Sequence, residues 1–132
     1  MTRYMLDTNM VSHLIKQHPA VARRVVAASM ASLCISAITA GELAFGLEKR
    51  PDAIRLHRVV SEFLRRVDVL AWDYEVARRY GSVRAVMQLG GKTLAPLDLL
   101  IAAHALNVGA VLVTNDRAFR QVANLDVEDW TD

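Results

Sequence analysis

The chain has 132 residues, of which 53% are hydrophobic and 23% are charged, and its net charge is +2. This composition excludes a disordered chain, the length is too short for two ordinary domains, and the charge permits a nucleic-acid partner without requiring one. The single cysteine, Cys34, excludes an internal disulfide framework and is expected in the core. The longest uncharged run, 25–41, contains several hydroxyl residues and does not resemble a membrane span. We therefore expect one cytoplasmic domain over residues 1–132, with no membrane partner.

Short apolar runs that end in polar or turn residues predict the strands, in chain order at 4–6, 33–36, 69–71, 110–114 and, as a short edge strand, from Val127. Helices are predicted between them, at 10–17, 19–30, 40–48, from Pro51 onward, from Asp73 to Gly90 and at 98–107. This alternation is typical of an α/β fold. It predicts a mainly parallel sheet of four to five strands with helices on both faces.

Four of the fourteen acidic residues stand apart from the others. Asp7 and Glu42 are the only acids in residues 1–47, and Asp98 and Asp116 are the only acids in residues 76–125. Asp7 and Asp116 directly follow predicted strands, Glu42 comes one helical turn after the second strand, and Asp98 begins a helix. Because the carboxyl ends of parallel strands meet at one edge of a sheet, we expect these four side chains to converge there.

Four carboxylates in one cleft repel one another, and a bound divalent cation removes that cost. Oxygen ligands favour the hard ions Mg²⁺ or Mn²⁺. Each acid also has a purely structural interpretation, because Glu42 could complete a capping box with Thr39, Asp98 could cap a helix, and Asp116 could be a turn residue. Thr8 and Asn9 are the expected caps of the first helix, which leaves Asp7 without a structural role.

The segments around these acids resemble the acidic motifs of PIN-domain ribonucleases, and in particular of the VapC toxins of bacterial toxin–antitoxin modules. The segments are Leu6-Asp7-Thr8-Asn9, Ser36-Ala37-Ile38-Thr39-Ala40-Gly41-Glu42, Pro96-Leu97-Asp98 and Thr114-Asn115-Asp116. The resemblance extends from residue 4 to Trp130. It implies a three-layer α/β/α fold with strand order 3-2-1-4-5, and a Mg²⁺-dependent endoribonuclease toxin that cleaves structured RNA such as tRNA. It also implies a homodimer and a VapB-like antitoxin.

On this interpretation Asp7 and Asp98 are the principal metal ligands, and Glu42 and Asp116 complete the catalytic site directly or through water. Thr114 is a candidate to hydrogen-bond the attacking water or a ligand. Basic side chains near the motifs are expected to hold the RNA backbone, because the acids themselves repel it. The candidates are Arg3, Lys16, Lys92 and Arg117.

Two other functions remain open on the sequence alone. The first is a catalytically inactive PIN-like module for RNA binding or protein interaction, which the presence of all four acids disfavours. The second is a small Mg²⁺-dependent phosphatase, although Asn9 stands where aspartyl chemistry needs a second Asp. Gly91-Lys92-Thr93 resembles the end of a phosphate-binding loop, but Val86 replaces its required glycine. His104 is expected to be a packing residue, and no aromatic platform for RNA bases is recognisable.

Overall fold

A computed structural model describes all 132 residues and contains one five-stranded sheet. Its strands are β1 (Tyr4–Leu6), β2 (Leu33–Ser36), β3 (Asp68–Leu70), β4 (Val111–Val113) and β5 (Val127–Glu128). Their spatial order is β3-β2-β1-β4-β5, and every neighbouring pair is parallel. The predicted order and the predicted edge strand are therefore confirmed.

Six α-helices connect these strands. They are α1 (Thr8–Ile15), α2 (Pro19–Ala28), α3 (Ala37–Glu48), α4 (Ile54–Arg66), α5 (Tyr74–Leu89) and α6 (Pro96–Val108). Two short 3₁₀ helices cover Met30–Ser32 and Arg117–Gln121. None of the helices combines the length and the apolar character that crossing a bilayer requires.

The helices cover both faces of the sheet, because successive residues of a strand point to opposite sides. Leu6 and Ile35 pack on one face with residues of α1 to α4 and with Trp130. Met5 and Cys34 pack on the other face with residues of α5 and α6. The result is the three-layer α/β/α architecture that the resemblance implied, with Cys34 in the core as predicted.

The starts of α1 and α3 differ from the sequence prediction. Asp7 itself caps α1, because its Oδ1 accepts a hydrogen bond from the Met10 backbone N–H at 2.8 Å. Ser36 rather than Thr39 caps α3, so the predicted capping box is wrong. In both places the residue at the carboxyl end of the strand is also the helix cap, and no loop separates the strand from the helix.

The helix α4 begins later in the chain than predicted, and α6 begins earlier. Pro51 lies in a turn before α4, which begins at Ile54, because a proline suits a turn as well as a first helical position. The helix α6 begins at Pro96, so Asp98 lies in its first turn instead of at its cap. The predicted end of α6 is confirmed, since Gly109 stops it with a left-handed φ of 68°.

Candidate metal centre

Asp7 lies at the carboxyl end of β1, the central strand, and only 4% of its surface is exposed. Its backbone N–H continues the pairing with β4 by donating to the Val113 carbonyl at 3.1 Å. One carboxylate oxygen accepts the Met10 N–H, and the other accepts the Thr114 hydroxyl. The side chain is therefore held in a single orientation from both sides.

Thr114 links Asp7 to Asp116 at the end of β4. Thr114 is 1% exposed, and its hydroxyl donates to Asp7 Oδ2 and accepts the Asp116 backbone N–H at 3.0 Å. Asp116 Oδ1 in turn accepts the Ala118 N–H at 2.9 Å and caps the 3₁₀ helix that follows. Thr114 thus acts as a support for the Asp7 carboxylate.

Glu42 and Asp98 approach the same edge from α3 and α6. Thr8 Oγ1, in the first turn of α1, donates to Glu42 Oε1 at 2.6 Å and fixes this carboxylate beside the residue that follows Asp7. Asp98 is half-buried, the charges of Asp116 and Glu42 raise its pKa, and its own charge raises the pKa of Asp7. The structure therefore brings all four predicted acids to one edge of the sheet.

The electrostatics of these acids are unfavourable without a positive partner. Burial, together with the charges of Asp98 and Asp116, raises the pKa of Asp7 from 3.8 to about 6, although its hydrogen bonds from Thr114 and Met10 act in the opposite direction. Burial and the charges of Asp116 and Glu42 also raise the pKa of Asp98. No Lys, Arg or His forms an ion pair with any of the four.

The donor set fits a hard divalent cation, because it consists of carboxylate oxygens that nothing else neutralises. No three acidic, His or Cys side chains stand close enough to enclose an ion by themselves. Glu42 is turned towards Thr8 and Asp116 towards Ala118, which accounts for this spacing. Mg²⁺ commonly keeps several waters and uses one or two carboxylates, so a closed protein cage is not needed.

The four basic candidates have different positions. Arg3 precedes β1 and pairs with Asp68 at 2.5 Å, which places it at the amino-terminal edge of the sheet, away from the acids. The prediction that Arg3 holds RNA near the acids is therefore wrong. Arg3 and Asp7 are close in sequence, but they lie at opposite ends of β1. Lys16 lines a groove with Glu42, Lys92 lines a cleft with Pro96 and Leu99, and Arg117 follows Asp116.

A buried hydrogen bond that the sequence did not indicate connects the helices carrying Glu42 and Asp98. His104 Nδ1 of α6 lies 2.7 Å from Ser36 Oγ, which also caps α3. Burial lowers the pKa of His104, which favours the neutral ring. The expectation of a packing role was thus incomplete. The two residues are 68 positions apart, and no local spacing could have linked them.

The strand order, the two helical layers and the acidic edge define the PIN class of α/β domain, and the family model described as "PIN domain" matches residues 4–125. The "tRNA(fMet)-specific endonuclease VapC" of Shigella flexneri is 38% identical over 99% of this chain and 100% of its own length. "Ribonuclease VapC2" of Haemophilus influenzae is 36% identical over 98% and 99%. The chain belongs to the PIN domain family and, within it, to the VapC ribonucleases of toxin–antitoxin modules.

Solved structures agree with this assignment. DNA-bound VapBC from Salmonella typhimurium superposes with a TM-score of 0.91 at 37% identity, covering 98% of this chain and 99% of the other. VapBC2 from Rickettsia felis, bound to a promoter DNA fragment, gives 0.90 at 30% identity with the same coverage. Both are toxin–antitoxin complexes, which supports a VapB-like partner for this chain. PIN-domain ribonucleases are in general metal-dependent.

Proposed function

We propose that this chain is the toxin of a VapBC-type module and that it hydrolyses phosphodiester bonds of structured RNA with Mg²⁺ at the acidic edge. Two relatives, at 38% and 37% identity, are named for tRNA(fMet), so this tRNA is the first substrate to test. Mn²⁺ is the alternative ion, because it shares the preference for oxygen ligands. The observation that carries the proposal is a set of four convergent carboxylates without a cationic partner.

In this proposal Asp7 and Asp98 hold the metal, and Glu42 and Asp116 complete the site directly or through water. The hydrogen bonds of Asp7 to Met10 and Thr114 keep both of its oxygens oriented before substrate arrives, which reduces the reorganisation needed during the reaction. Thr8 orients Glu42 in the same way. The bound ion supplies Lewis acidity that activates water and neutralises charge developing on the phosphate.

The first prediction concerns Asp98→Asn. Removing one of the central carboxylates should lower tRNA(fMet) cleavage by at least about a hundredfold, since an electrostatic contribution of this kind typically exceeds roughly 2.7 kcal/mol. Cleavage is measured on gels in Mg²⁺ and in EDTA, with Asp52→Asn, an exposed turn residue, as the matched control. Mg²⁺ should also raise the melting temperature of wild type more than that of Asp98→Asn.

Three results separate this function from its alternatives. Cleavage by a folded Asp98→Asn protein at the wild-type rate would refute the metal assignment. Tight RNA binding by wild type without cleavage would identify the inactive module. Hydrolysis of a phosphomonoester in place of RNA would identify the phosphatase.

The proposed antitoxin site is a groove of about 290 Å³ among α1, α3 and α4 that ends at Thr8 and Glu42. Apolar residues form its floor, and Lys16, Lys49 and Arg50 are among its lining residues. Glu42 is the only acid that lines it. These features favour a segment with apolar anchors, acidic residues along the groove, and one Arg or Lys that reaches the carboxylates.

A further inference from the structure

A second cleft, of about 180 Å³, lies between the carboxyl-terminal half of α5 and the start of α6. We propose that this α5–α6 cleft, lined by Tyr80, Arg84, Gln88, Lys92 and Thr93 together with Pro96 of α6, binds one nucleotide of the RNA substrate beside the scissile phosphate. This inference rests on the proposed ribonuclease function and adds a substrate-binding subsite to it.

The cleft adjoins the turn of α6 that carries Asp98. Pro96 and Leu99 line the cleft, and Asp98 lies between them in the same turn of α6. One turn of helix rises about 5.4 Å, so Asp98 and the residues of α6 that line the cleft differ by less than one turn along the helix axis. The cleft therefore opens beside the turn of α6 that carries Asp98.

The charged side chains that line the cleft are all positive. No Asp or Glu lines the cleft, and no acid other than Asp98 occurs between residues 76 and 115. Arg84 and Lys92 form no ion pair anywhere in the structure. Two unpaired cations beside an acidic catalytic edge are suited to a phosphate, which the acids themselves would repel.

Hydrogen bonds and aromatic packing hold two side chains of the cleft wall, Tyr80 and Arg84, in place. Arg84 Nη1 donates to the Tyr80 hydroxyl at 2.9 Å, which holds the guanidinium against the cleft wall. The Tyr80 ring packs edge-on against Trp72 with 6.1 Å between centroids, and Trp72 Nε1 donates to the Leu100 carbonyl of α6 at 3.0 Å. A fixed tyrosine in the cleft wall provides the stacking surface that a nucleobase needs and that the sequence did not indicate.

Each side chain of the cleft suits a different part of the bound nucleotide. Arg84 and Lys92 bind a backbone phosphate, Tyr80 contacts a base, and the Gln88 amide is available for a base edge or a ribose hydroxyl. Phosphate contacts set the register of the RNA on the protein, so this cleft contributes to the choice of the bond that is cleaved.

The test compares Arg84→Gln and Lys92→Gln with Arg78→Gln, an exposed arginine of the same helix that lies outside the cleft. The dissociation constant for labelled tRNA(fMet) is measured by fluorescence anisotropy at several salt concentrations, with Asp98→Asn in every variant to prevent cleavage. Each cleft variant should weaken binding about tenfold and reduce the salt slope by about 0.7 to 0.9. In the cleaving background, kcat/KM should fall mainly through KM.

Thermal melting confirms that each variant is folded. Equal losses in Arg84→Gln and Arg78→Gln would show general charge attraction and overturn the subsite, as would wild-type binding by both cleft variants. If the Asp98→Asn parent binds no RNA and wild type cleaves none, the proposed function fails and the subsite fails with it. If wild type cleaves the RNA and both cleft variants bind it as tightly as their parent does, the proposed function stands and the subsite alone is wrong.

Discussion

Asp7 combines a structural and a chemical task in one side chain. It caps α1, which explains why a carboxylate can be buried at 4% exposure, and it faces Asp98 and Asp116 at the acidic edge. An N-cap asparagine serves a helix about as well as aspartate. The capping role therefore does not require a negative charge at this position, and the charge is what a metal would use.

Metal-free stability should fall as pH rises through the raised pKa of Asp7. Between its ordinary value of 3.8 and about 6, the folded state binds more protons at Asp7 than the unfolded chain does. Stability from this term is complete below about pH 4 and lost above about pH 6. Urea unfolding in EDTA should show wild type losing roughly 2 to 3 kcal/mol relative to Asp7→Asn between pH 4 and pH 7.

The raised pKa of Asp98 adds to this effect in the same direction. Asp126→Asn, an exposed acid outside the site, serves as the control for unfolding and should follow wild type across the range. A wild-type protein that instead gains stability relative to Asp7→Asn over this interval would show that Asp7 is neutralised by a cation within the chain.

Among the helices, α6 shows how a helix end positions the site. Gly109 stops it in the left-handed conformation, the Ala110 N–H bonds the Ala105 carbonyl at 3.0 Å, and β4 begins at Val111. This immediate return to the sheet places Thr114 beside Asp7. The end of α6 therefore contributes to the geometry of the acids although Gly109 contacts none of them.

Two glycine-to-alanine changes should have opposite effects on stability. Gly109→Ala forces a side chain into a φ of 68° and should cost about 1 kcal/mol or more. Gly81→Ala lies inside α5 with nothing within 4 Å of the new Cβ, and it should stabilise by roughly 0.5 to 1 kcal/mol. The free energy of unfolding in urea measures both, and two changes of the same sign would contradict the argument.

The groove among α1, α3 and α4 supports a prediction about antitoxin affinity. Arg50→Glu reverses a charge that lines the groove and should weaken binding of a VapB-type antitoxin about tenfold or more. Arg58→Glu, on α4 but outside the groove, should have little effect. Isothermal calorimetry with both variants is the measurement, and equal losses would place the antitoxin elsewhere.

Considered as a whole, the molecule leaves large apolar side chains exposed on the outside of α5. Tyr74 is 77% exposed and Leu89 is 89% exposed. The resemblance predicts a homodimer, and such residues are suited to an interface between copies of the chain. Light scattering should give twice the 14.6 kDa of one chain, and Leu89→Glu should shift the protein towards monomer. Val26→Glu, on α2 and 82% exposed, is the control.

The strands and the four isolated acids could be read from the sequence because each is a local pattern. An apolar run such as Tyr4–Leu6 must be buried, and alternation with helices makes neighbouring strands parallel. The sheet order came from the family resemblance, and the structure confirms it. The assignment of Asp7, Glu42, Asp98 and Asp116 to a metal remains a prediction, although the structure brings the four together.

Tertiary structure alone decided which partners these residues have. The sequence offered Thr114 as a partner of the attacking water or of a ligand, and the structure shows that its partner is Asp7. The sequence could not show that Thr8 holds Glu42 or that His104 joins Ser36, because each pair depends on the packing of distant elements. The helix caps differ from the prediction for the same reason. Ser36 can cap α3 because β2 ends directly at the start of this helix. Hydrophobic patterning specifies which face of an element is buried, whereas hydrogen bonds depend on distances of tenths of an ångström that only the assembled fold sets.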